Sequence, residues 1–155
     1  MPDAMLQLAE DEGIEVEQFD FIPPIRGIYY VGEDAPPIIG LDNSLMSDFT
    51  ALRCVLAEEL GHHFTTAGCF MPRQFFNHSD RLHISKIEFK AMKWAVNYLM
   101  PEDELLDAIG SGLYGYWELA EHFNVTEEFA KFRLKLFGAK EIKSTVSFHY
   151  KMNVL

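Results

Sequence analysis

Basic residues are scarce in this chain. Lys and Arg number 13 against 24 Asp and Glu, a formal net charge of −11. Phosphate repels such a surface, so the chain is a poor candidate for binding nucleic acid by itself. A basic or DNA-binding protein partner stays compatible with that charge. Cysteine is rare too. Cys54 and Cys69 are the only two, which is no disulfide framework. Cys54 sits in an apolar helical run and reads as a small buried hydrophobe. No hydrophobic run approaches the length of a membrane span. The first residues, Met1-Pro2-Asp3-Ala4-Met5, carry neither a basic region nor an apolar signal core. The cytoplasm is therefore the expected compartment, with no membrane association. Internal repeats and low-complexity segments are absent. What is present is 155 residues at 48% hydrophobic content, enough for one domain with a real core.

Inside that apolar background one stretch gathers ionisable groups: Cys54-Val55-Leu56-Ala57-Glu58-Glu59-Leu60-Gly61-His62-His63-Phe64. Leu52, Val55, Leu56, Leu60 and Phe64 recur at three- and four-residue steps, which predicts a helix over 47–66. Ser47 is the expected N-cap, with Asp48 in the first turn. Glu58 and His62 are four apart, hence roughly 40° apart around the helix and one turn from each other. Two side chains so placed can reach one metal ion. Glu59 stands about 100° from Glu58, where it can address a water at that ion. This is the spacing of the H-E-x-x-H metallopeptidase helix, with Glu58 where the first His belongs. Other readings of the same residues stay open. Glu59 and His63 are also four apart and could chelate. Cys54, Glu58 and His62 share one helical row. A solvated acidic patch with no metal is the plain alternative.

Upstream, residues 3–12 read as a short helix. Three β-prone runs follow, around Val16 to Ile22, Ile28 to Val31 and Ile38 to Leu41, separated by Pro- and Gly-bearing turns. The short turns suit antiparallel neighbours. Residues 67–84 read as a loop carrying His78 and His83, each a solvated histidine rather than a ligand. From Ser85 the apolar stripe Ile87, Ala91, Trp94, Ala95, Tyr98, Leu99 predicts a second long helix ending at Pro101. Glu88 lies beside that stripe, where a carboxylate needs a partner or a metal; a surface pairing with Lys86 or Lys90 is the plainer reading. A helix over 102–109 follows, with acids in its first turn. Helices over 116–123 and 126–137, joined at Asn124-Val125, make a helix-turn-helix pattern. Glu118, Glu121, Glu127 and Glu128 favour packing over DNA readout there. Val146, Phe148 and Tyr150 alternate in the tail and suggest a short strand.

Taken in order, Leu56 to His62, then Glu88-Phe89-Lys90-Ala91-Met92-Lys93-Trp94-Ala95 running to Leu99-Met100-Pro101, then Glu118-Leu119-Ala120, Val125-Thr126 and Arg133-Leu134, resemble the ImmA/IrrE family of metallopeptidases, notably its phage and mobile-element branch. The resemblance covers most of the chain. It implies an α+β, zincin-like fold: a small N-terminal sheet beside the active-site helix, then a helical part with a helix-turn-helix-like element. A core over 1–101 and a helical region over 102–155 follow from that division. It implies Glu59 as the catalytic base and His62 and Glu88 as metal ligands, with Glu58 taking the first histidine's place. It also implies a partner, a helix-turn-helix repressor that is cleaved or inactivated. A non-catalytic zincin-fold protein that sequesters the repressor is the alternative.

Glu58 changes the chemistry. Zinc accepts carboxylate oxygen as well as imidazole, so a Glu-His-Glu set can hold it. Two carboxylates cancel the ion's double charge, however, and a water there is acidified less than at a three-histidine site. Slower chemistry, weaker zinc retention, or a shift toward manganese or iron is expected.

Overall fold

The computed structural model describes residues 3–66 and 78–138, with side chains described at 3–66 and 86–138. The fold is α+β. Helix α1 (Asp3–Asp11) leads into strands β1 (Glu15–Phe19), β2 (Gly27–Tyr30) and β3 (Ile38–Asp42). A 3-10 turn (Asn43–Ser47) then feeds α2 (Phe49–Thr65). Helices α3 (His78–Leu99), α4 (Glu102–Gly110) and α5 (Tyr116–Phe123) follow, and α6 spans 127–138. Asn124, at φ 51°, takes the left-handed conformation between α5 and α6, which Asn tolerates better than most residues.

The sheet order is β1-β3-β2. The short turns suggested antiparallel neighbours throughout, and that holds only for β2 with β3. β1 pairs with β3 in parallel. Burial accounts for the difference. Ile38-Ile39-Gly40-Leu41 is the most apolar run and takes the central place, where Ile39, Gly40 and Leu41 are all buried. The polar run Glu15–Phe19 takes an edge. β2, placed at the other edge, therefore separates β1 from β3 in sequence but not in space.

Two helix starts also differ from expectation. The N-cap of α2 is Asp48, not Ser47: its carboxylate accepts from the Ala51 amide at 2.9 Å. The 3-10 turn ahead of it uses Ser47, whose hydroxyl donates to the Ser44 carbonyl. Helix α3 begins at His78 rather than Ser85, so His78 and His83 lie on a helix and not in a loop. Residues 78–84 contain no Gly or Pro, and elongating an anchored helix costs far less than starting one. The rest of that expected loop, and the expected tail strand, lie outside the described residues.

One cluster of buried side chains joins the elements. It takes Ile39 and Leu41 from β3, Leu56 and Leu60 from α2, Val96 from α3, Leu105 from α4, Leu119 and Phe123 from α5, and Phe129 and Ala130 from α6. Buried Arg133 fastens α6 to the end of α3 by donating from Nε to the Met100 carbonyl at 2.8 Å. Cys54 faces the core, and its Sγ accepts from the Thr126 amide at 3.3 Å. Among the described residues, no helix is long and apolar enough to cross a membrane.

Candidate metal centre

The centre is built where α2 and α3 cross. Gly61 makes that crossing close. A β-carbon there would land on the carbonyl oxygen of Ala91, with the Ala91 carbonyl carbon at 2.9 Å and Cα at 3.0 Å. The residues flanking this contact are the ionisable ones. His62 follows Gly61, and Glu88 lies three positions before Ala91, on the same side of α3. The His62 Nε2 and Glu88 Oε2 stand 3.3 Å apart. Glu58, one turn before His62, completes a group whose ligand atoms all lie within 4.8 Å of one another. His62 is buried, and Glu58 and Glu88 are half-buried. Lys86 and Lys90 therefore do not account for Glu88, which faces His62.

Glu59 is buried, at 8% exposure. Its carboxyl is pushed well above the ordinary carboxylate range, first by burial, then by the charges of Glu58 and Glu88. It lies under the sheet edge. A β-carbon on Gly27 would stand 2.6 Å from Glu59 Oε1 and 2.5 Å from Val55 Cγ1. Glycine lets β2 pass this close over the helix without displacing the Val55 or Glu59 side chain. Pro24 to Tyr29, Val55, Glu58, Glu59, His62 and Glu88 line a cleft of about 470 Å³.

The register of β2 decides what its backbone offers that cleft. The Asp42 amide donates to the Arg26 carbonyl at 2.8 Å, so Arg26 and Asp42 are a bonded pair. Bonded and non-bonded pairs alternate in an antiparallel ladder. Gly27, opposite Leu41, and Tyr29, opposite Ile39, are then the non-bonded positions. Their amides and carbonyls point away from β3, along the stretch that lines the cleft.

The donor chemistry suits a divalent cation. Two carboxylates supply negative charge, one imidazole supplies nitrogen, and a third carboxyl stands beside them. The other metal sets weighed from sequence are not assembled. His63 turns to Tyr29 and Glu12, which leaves the Glu59–His63 register without its histidine. Cys54 is turned to Thr126. Three contributors were not legible in sequence: Gly27, Tyr29 and Gly61. The one available signal was a glycine just ahead of a β-prone run and another inside a helical run, which marks a close backbone approach.

The family model described as the IrrE N-terminal-like domain, Peptidase_M78, matches residues 9–135. No curated protein matches the chain.

Proposed function

Since the chain belongs to the Peptidase_M78 (IrrE N-terminal-like) family of ImmA/IrrE-type metallopeptidases, we propose that it is a zinc-dependent endopeptidase that cleaves a helix-turn-helix repressor and so releases a phage or mobile element from repression. One observation carries the reading: Glu58, His62 and Glu88 converge within 4.8 Å beside a buried Glu59. Glu58, His62 and Glu88 would hold the ion. When bound, it supplies Lewis-acid polarisation of a peptide carbonyl and acidifies water. The oxygen-rich set keeps manganese and iron as alternatives to zinc.

The rest of the work falls to the chain's own groups. Gly27 and Tyr29 offer outward amides and carbonyls, so an extended substrate segment can add to the edge of β2. Val55, Ile25 and Ile28 give that segment an apolar wall and keep bulk water from the Glu59 carboxyl. Glu59 takes the proton of the attacking water and passes it to the leaving amine. Burial, the first cause of its raised proton affinity, makes it a better proton acceptor than an ordinary glutamate. The acidic surface suits a basic, DNA-binding partner in the cytoplasm, and direct DNA contact by the chain is not part of the mechanism.

Glu59→Gln keeps the side chain's size but removes the base. Repressor fragments should fall by roughly 100-fold or more on co-expression, the usual contribution of a positioned base. Metal content and repressor binding should stay. Glu58→His should retain or increase cleavage in zinc. If wild type and Glu59→Gln relieve repression equally, with no fragments in either, sequestration replaces cleavage.

A further inference from the structure

His63 is the ionisable group of the α2 motif that the metal centre leaves aside. Its Nδ1 lies 3.0 Å from the Tyr29 hydroxyl. Its Nε2 lies 3.4 Å from Glu12 Oε2. The two rings also pack edge to face, with centroids 5.7 Å apart. An ionised carboxylate can only accept, so Glu12 selects the tautomer with the proton on Nε2. Nδ1 is then left to accept from the Tyr29 hydroxyl. One chain of contacts thus runs from Glu12, just past α1, through α2 to β2.

We infer that His63 is a positioning residue: by holding the Tyr29 side chain it fixes the substrate-facing edge of β2 against Glu59. The spacing supports this. Glu59 and His63 occupy one row of α2 and stand about 6 Å apart along its axis. Gly27 and Tyr29 are alternate residues of β2, about 6.6 Å apart. Glu59 meets Gly27 and His63 meets Tyr29, so the helix row and the strand keep step over two contacts. The first contact is a bare backbone lying on the base. The second is a hydrogen bond that stops the strand from sliding or lifting. The residue pinned is also one whose own amide and carbonyl face the cleft. Loss of the pin therefore displaces the peptide-pairing edge and leaves the metal ligands, on the neighbouring row, where they are.

This inference rests on the peptidase reading, and two probes separate them. Acetohydroxamate binds through a protein-held metal and is too short to pair with the edge of β2, whereas a leucyl tripeptide capped as a hydroxamate also needs that edge. In the full chain loaded with metal, Tyr29→Phe and His63→Phe should each weaken the tripeptide probe roughly tenfold, as expected for one lost hydrogen bond. Acetohydroxamate should change by less than about twofold, well under that hydrogen-bond effect. His63→Asn keeps an acceptor at the Nδ1 position and should restore most of the tripeptide binding. Equal weakening of both probes, no weakening of either, or no rescue by His63→Asn would each overturn the positioning role. If the wild type binds neither probe with metal added, the peptidase reading falls. The metal-free protein then decides for His63 alone. Amide exchange at Ile28 and Tyr30 should quicken by about tenfold in His63→Phe, with the amides of α3 unchanged. Uniform or unaltered exchange counts against the pin.

Discussion

Replacing Gly61 with alanine tests whether the metal centre depends on how closely α2 and α3 cross. The added methyl would meet the Ala91 carbonyl group and Cα, at 2.9 and 3.0 Å for its two carbons. These are backbone atoms and cannot rotate away. Carbon atoms pack best about 3.5–4.0 Å apart, so α3 must retreat by about 0.5–1 Å. Such overpacking costs about 1–3 kcal/mol, and alanine recovers about 1 kcal/mol of helix propensity. The net loss is small, about 0–2 kcal/mol. The centre is affected more. Glu88 moves with Ala91, and its 3.3 Å approach to His62 opens. Disturbing the support of a metal ligand typically costs 10–100-fold in affinity, so a drop of about tenfold or more is expected. Calorimetric metal titration beside thermal unfolding reads both effects on one sample. Gly110→Ala is the control: nothing lies within 4 Å of a β-carbon there, and it should stabilise by about 0.4–1 kcal/mol. Metal affinity equal to wild type in Gly61→Ala, or a gain in stability like that of Gly110→Ala, would refute the dependence of the centre on this crossing.

Two further outcomes follow from the core. Arg133→Met strips the buried Met100 carbonyl of its donor and should cost about 1.5–3 kcal/mol in chemical denaturation, the range for a hydrogen bond to a charged group. In a Cys69→Ser background, Cys54 should resist thiol reagents at pH 8 until the protein unfolds, because burial pushes its thiol up to about 11; reaction in the native state would contradict its burial.

Much of the fold follows from periodicity. The steps of Leu52, Leu56 and Leu60 were sufficient for α2, and the β-prone runs began within a residue of the strands, the first running three residues past the end of β1. Strand order was not legible, because it depends on which run is apolar enough for the centre, and adjacency in sequence says little about that. The start of α3 was missed because Ser79 and Asp80 read as turn formers although they suit a first helical turn equally. At the site, spacing alone placed Glu58 and His62 together. Glu88 came from the resemblance, and its distance from His62 depends on Gly61, a contact between two helices with no local periodicity. His63 was ambiguous for a similar reason. Whether a helix row faces a metal or a strand is decided by tertiary packing.

In the proposed mechanism, Glu58 moves the acid–base work of the centre from the cation toward Glu59. A second carboxylate ligand lowers the ion's effective charge, so a water there is less acidified. The same carboxylate, with Glu88, raises the proton affinity of buried Glu59. Glu59 is thus a stronger base facing a weaker acid. The two effects act on one proton transfer with opposite signs, and the stronger base recovers part of what the ion loses. Histidine at position 58 would reverse both at once: the ion would gain effective charge, and Glu59 would lose one of the two like charges that raise it. The ion's change acts at ligand distance, while Glu59 keeps its burial, which is the larger cause of its shift. The balance therefore favours the histidine variant in zinc. A loss of cleavage there would mean that the like-charge support of Glu59 outweighs the acidity of the ion.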